Sequence, residues 1–149
     1  IAGEEPELCL RLARVGWSSW RLDAEMTLHD AQMHRFSQWW QRSRRAGVAF
    51  AEGAALHGAG PEHHWVAETR RALLWGAGIP LLTLILLPFS GWALVLLLIY
   101  PAQVLRLSHR MGRTRALYSV LGKFAEAQGA LEYHWLRLRG RNRGLLEYK

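Results

Sequence analysis

The sequence predicts a mainly α-helical chain attached to a membrane, built from an amphipathic interface helix, a two-helix membrane hairpin and basic amphipathic helices at its C-terminal end. Three observations predict this. Residues Ala72 to Leu105 hold no charged side chain, whereas Arg70 and Arg71 precede the run and Arg106, Arg110, Arg113 and Arg115 follow it. A run this apolar with basic ends belongs in a bilayer. Within the run, Pro88-Phe89-Ser90-Gly91 is a turn signal. The charge is also uneven: nine basic and nine acidic residues before the run, ten basic and three acidic after it, so the tail carries the whole net charge of +7.

The first element is a helix over about Pro6 to Val15. Leu8, Leu12 and Val15 recur at i, i+4 and i+7, Pro6 suits a first helical turn, and the preceding Glu4 and Glu5 suit the positive end of the helix dipole. Gly16 is a natural stop. Trp17 to Leu22 reads as a short strand and Met26 to Leu28 as a second extended piece ending at His29-Asp30. From Gln32 to about Ala55 no proline intervenes. Met33, Phe36, Trp40 and Phe50 recur at helical spacing, with Arg35, Gln38, Arg42 and Arg45 on another face. Aromatic and arginine content of this kind fits a helix lying flat at a membrane interface.

His57 to Pro61 is glycine-rich and reads as a loop, and Pro61-Glu62 opens the helix that leads into the apolar run. The turn signal leaves two short helices, 72–87 and 92–105. At about 1.5 Å per residue the first reaches about 24 Å, against a hydrocarbon core of about 30 Å. Extension into flanking residues or local thinning closes that gap, and a shallow hairpin is the alternative. Basic residues at both outer ends place both in the cytoplasm. Beyond Arg106, Leu117, Val120, Leu121, Phe124, Gln128 and Leu131 form a helical stripe, and Gly112, Gly122, Gly129 and Gly140 are expected to break it into pieces. The chain thus divides into 1–60, a polar segment ending in the interface helix; 61–106, the hairpin; and 107–149, the basic tail.

A basic tail beside a membrane span favours anionic lipid headgroups, at about 1 kcal/mol per Lys or Arg near the surface. Nucleic acid is the rival partner for such a tail, but adjacency to the span favours lipid, and no nucleic acid is expected. Cys9 is the single cysteine, which excludes an internal disulfide, and no Cys/His zinc spacing occurs. The chain opens on a charged motif without a signal-peptide pattern, as expected for the C-terminal piece of a longer protein.

Four groups could carry chemistry. Glu4-Glu5 could supply a general base to a hydroxyl placed beside it, or be a solvated helix N-terminus. Gln41, Arg42, Arg44 and Arg45 could grip diphosphate oxygens, since guanidinium binds them bidentately, or face lipid phosphates. Trp39 and Trp40 could stack on a sugar or base, or anchor the helix at the interface. His29 could bind a divalent metal. His63 and His64 read as surface residues. No glycine-rich phosphate loop or nucleophile elbow is present.

The order of these elements, from acidic pair through helix, strand, His and arginine-bearing interface helix to membrane hairpin, resembles the C-terminal half of bacterial membrane-bound family 2 glycosyltransferases. Gly3-Glu4-Glu5-Pro6-Glu7-Leu8-Cys9-Leu10-Arg11 is similar to that family's Gly-Glu-Asp-x-(Asp/Glu)-Leu-x-x-Arg segment. Met26-Thr27-Leu28-His29-Asp30 resembles a strand end that places a His near the donor's metal-diphosphate. Gln41-Arg42-Ser43-Arg44 is similar to the Gln-x-x-Arg-Trp element of processive members, with Arg45 in place of the Trp. The resemblance implies that residues 1–60 are the C-terminal remnant of an α/β GT-A domain. It implies Glu5 as the catalytic base beside Glu4, and a nucleotide-diphospho-sugar donor with Mg²⁺ or Mn²⁺ held mainly by a preceding half. It also implies a lipid-linked or saccharide acceptor, and a location on the cytoplasmic face of the bacterial inner membrane.

Overall fold

The computed structural model describes residues 4–20, 23 and 33–140, and its regular structure there is entirely helical. Helix α1 spans Glu4–Arg14, α2 Phe36–His57, α3 Val66–Leu73, α4 Ile79–Leu86, α5 Ile99–Met111 and α6 Arg113–Leu138. A π-helical turn, Leu74–Gly78, joins α3 to α4, and a 3₁₀ segment, Gly91–Leu98, leads into α5. The strand expected at Trp17 to Leu22 is not formed over Trp17–Trp20, which has no regular structure. A strand needs a neighbour to take its backbone hydrogen bonds, and no sheet is present among the described residues. The second extended piece and His29 lie outside them.

The apolar run forms the expected hairpin, extended into its flanks. Val66–Leu86 and Gly91–Met111 are each long and apolar enough to cross a membrane. Each arm departs from α geometry just before a proline. Pro80 has no N–H to give the Gly76 carbonyl and Pro101 none for that of Leu97. The π turn and the 3₁₀ segment absorb the mismatch. The tip is bare. Leu84 and Leu98 are 65% and 61% exposed, and in the tip arms only Thr83 and Ala93 are buried. A water-soluble domain does not present such a surface. At the base of the hairpin, the Tyr100 hydroxyl donates to the Trp75 carbonyl, and the Tyr100 ring meets Phe124 at 5.2 Å.

Gly112, at φ 83°, reverses the chain from α5 into an antiparallel α6. The expected breaks at Gly122 and Gly129 do not occur. α6 is continuous from Arg113 to Leu138 and is the spine on which α2, α3 and α5 pack. Of the stripe, Val120 is buried but Leu117 and Leu131 are 46% and 51% exposed, and the buried face is otherwise one of small residues, Ala116, Gly122, Ala125, Ala127, Gly129 and Ala130. The facing surface of α2 is Gly47, Ala49, Ala51 and Gly53. A methyl on Gly47 would collide with the Glu126 backbone, and one on Gly129 with the Arg44 carbonyl. The two backbones therefore touch, as in the small-residue contacts by which helices associate in membranes.

Candidate functional site

Helix α1 presents two unlike faces. Successive residues turn by roughly 100°, so Glu5, Leu8 and Leu12 share one side, and Glu7, Arg11 and Arg14 the other. Leu8, Leu12 and Val15 are 49%, 38% and 71% exposed, so the apolar side meets nothing in this structure. Glu5 is exposed on that same side. The charged side attaches α1 to the rest. Glu7 Oε1 lies 3.0 Å from His57 Nε2, and Arg14 forks onto Glu62 at 3.0 and 3.4 Å while its third nitrogen lies 3.2 Å from His57 Nδ1. Burial pushes the Glu7 carboxyl up, but the hydrogen bonds and charges of His57 and Arg11 outweigh it and hold the group below the usual carboxylate range. The Arg14 guanidinium holds Glu62 below that range too.

Beside this cluster, α2 turns into α3 through a strained corner. The expected helix start at Pro61-Glu62 is delayed to Val66, because His63 and Trp65 take left-handed backbone at φ 46° and 55°, which bulky residues rarely adopt. Packing of the Trp65 ring holds the corner: the ring sits over Gly53, meets Phe50 edge-on at 5.4 Å, and stacks on His64 at 4.4 Å. His64 is thus half-buried rather than on the surface, and its Nε2 is buried without a hydrogen-bond partner. Burial, followed by the His57 charge, lowers its pKa. An open concavity of about 750 Å³ lies here, lined by His63, His64, Glu68, Arg70 and Arg71 among others.

The arginine cluster lies elsewhere. Arg42 and His57 are fifteen residues apart on α2, about 22 Å, so Glu5 and the Gln41-Arg42-Ser43-Arg44 segment are not brought together. Arg44 is engaged by Glu132 at 2.8 Å and by Gln41 at 3.2 Å, each partner of the ion pair 27% exposed. Its first role here is to tie α2 to α6. Trp40 Nε1–H donates to Gln128 at 2.9 Å, and Trp39 meets Tyr118 edge-on at 4.9 Å. Both tryptophans are half-buried packing residues. Arg42 is exposed and Arg45 half-buried. No three His, Cys, Asp or Glu side chains converge as a metal site among the described residues.

His57 and the Glu7–Arg14–Glu62 cluster escaped the sequence reading because their partners lie some fifty positions apart. The one local signal is that Glu7 and Arg14 sit two turns apart on a single helical face. Comparison with protein-family models, with characterised proteins and with solved structures finds no match.

Proposed function

We propose that this chain is the membrane-attached C-terminal part of a bacterial glycosyltransferase. The intact enzyme would move a sugar from a nucleotide-diphospho-sugar to an acceptor hydroxyl at the cytoplasmic face of the inner membrane. The observation that carries the reading is the build of α1: an acidic N-terminal turn beside an exposed apolar face, on a helix tied to the corner that leads from α2 into two helices long and apolar enough to cross a membrane. An apolar face of that size calls for a partner, and an α/β donor-binding domain preceding Glu4 would supply it. In the reaction, Glu5 accepts the proton of the acceptor hydroxyl as its oxygen attacks the anomeric carbon. The bond from that carbon to the diphosphate oxygen breaks, and the nucleoside diphosphate leaves with the electron pair. Arg42, exposed on α2, is the guanidinium that would meet an incoming diphosphate. On its own the chain would be inactive.

A second reading, a non-enzymatic two-span anchor for anionic lipid or a partner protein, gains from one observation: α1 is tied at His57, about 22 Å along α2 from Arg42, and Arg44 is already paired with Glu132. The test is made on membranes holding the full-length protein, supplied with radiolabelled UDP-glucose, UDP-N-acetylglucosamine and GDP-mannose. Glu5→Gln should abolish transfer and leave donor binding nearly unchanged. Wild-type turnover by that variant removes Glu5 from the mechanism, and no transfer from any donor by the unmodified protein favours the anchor.

A further inference from the structure

The manner in which α1 is held goes beyond the assignment of Glu5. α1 makes few packing contacts with the other described helices: Leu8 and Leu12 are exposed, Leu10 is half-buried, and its described polar ties to them run through Glu7 and Arg14. These two residues are seven apart, so they project from one face at points about 10 Å apart along the axis. Both converge on the corner where α2 ends, Glu7 on His57 and Arg14 on His57 and Glu62. One contact would leave the helix free to swing. Two contacts on one face fix both its direction and its rotation about its own axis. Glu5 lies roughly 200° around the helix from Glu7, so the clamp turns Glu5 and the leucine face outward, away from the membrane helices.

One imidazole bridges the two contacts: His57 turns Nδ1 toward Arg14 at 3.2 Å and Nε2 toward Glu7 at 3.0 Å. The groups facing this histidine are Glu7 and Arg14 from α1, and Glu62 and His64 from the corner.

We propose that Glu7, Arg14, His57 and Glu62 form a two-point polar clamp that orients the helix bearing Glu5 on the membrane helices, making all four positioning residues for the base. The catalytic consequence rests on the glycosyltransferase reading; the clamp itself does not. Cys9 is exposed on α1 and takes a nitroxide spin label once any cysteine outside residues 1–149 is replaced by serine. In the full-length protein in phospholipid vesicles, the label should give a restricted spectrum. His57→Ala and Arg14→Glu should each convert it to a mobile one. His57→Gln keeps one acceptor and one donor and should retain part of the restriction, and the exchange Arg14→Glu with Glu62→Arg should restore it. If transfer is detected, the mobile variants should lose roughly 10- to 100-fold in kcat with the donor KM little changed. An unchanged spectrum in both His57→Ala and Arg14→Glu overturns the clamp, as does failure of the exchange to restore it when the single Arg14→Glu chain is folded by circular dichroism. A mobile spectrum alongside unchanged transfer keeps the clamp and overturns its link to Glu5.

Discussion

Two glycines of one helix should respond to the same substitution with opposite sign. Gly122 and Gly129 are both buried in the middle of α6. In either, alanine removes the conformational cost of glycine in a helix, a gain of about 0.5–1 kcal/mol. At Gly122 the added methyl meets Trp39 at 3.7 Å and the Glu126 carboxylate at 3.8 Å, ordinary contacts. The gain survives, so Gly122→Ala should stabilise. At Gly129 the methyl strikes the Arg44 carbonyl and lies 2.9 Å from the Val48 backbone nitrogen. Backbone cannot step aside as a side chain can, so α2 and α6 must part by roughly 1 Å, which forfeits a quarter to a half of each dispersion contact across the seam. Overpacking of this kind costs about 1–3 kcal/mol, leaving a net loss of roughly 1–2 kcal/mol after the helix gain. For a chain of this size that is about 2–8 °C in apparent melting temperature, at roughly 2–4 °C per kcal/mol. Thermal melts of both variants in one detergent test it. A Gly129→Ala protein that melts at or above wild type would refute the backbone contact between α2 and α6.

Two further outcomes follow from the charges and from the bare hairpin. Glu7 and Glu62 are both held below their ordinary value of 4.5, facing Arg11, Arg14, His57 and His64. A carboxyl lowered on folding stabilises above its unfolded pKa and loses that contribution as pH falls through its folded one. The docking of α1, followed by a label on Cys9, should therefore loosen as pH drops below about 4.5, and Glu7→Gln with Glu62→Gln should flatten that dependence. In the hairpin, Leu81→Arg, at an exposed side chain near the middle of the first arm, places a charge toward mid-bilayer at a cost of about 2.5–3.5 kcal/mol, and should release part of the protein into an alkaline wash of the membranes. Leu138→Arg, at a side chain already 82% exposed at the end of α6, should not.

The elements that follow from local pattern were legible in the sequence, and those set by distant partners were not. α1, α2 and both hairpin arms appear within a few residues of the expected positions because their apolar spacing, prolines and turn residues are local signals. The start of α3 was placed too early because nothing near Pro61 announces that Trp65 will turn left-handed to reach Gly53. Glycine weakens an isolated helix, so the α6 glycines read as breaks in the sequence. Their role shows only when α2 lies against them. Of the candidate site, Glu5 and the arginines were legible as residue types. That Arg44 would be drawn to Glu132, and that His57 would bridge Glu7 and Arg14, depends on pairs up to 88 positions apart.

The most direct test of the central claim, that a membrane hairpin holds the acidic helix at the cytoplasmic face, uses Cys9 in a protein with any cysteine outside residues 1–149 replaced by serine. A membrane-impermeant maleimide is applied to right-side-out spheroplasts and to inverted membrane vesicles containing the full-length protein. Cys9, exposed on α1, should be labelled in inverted vesicles and protected in spheroplasts until the membrane is permeabilised. Labelling of Cys9 in intact spheroplasts would put α1 on the outer side and contradict the account.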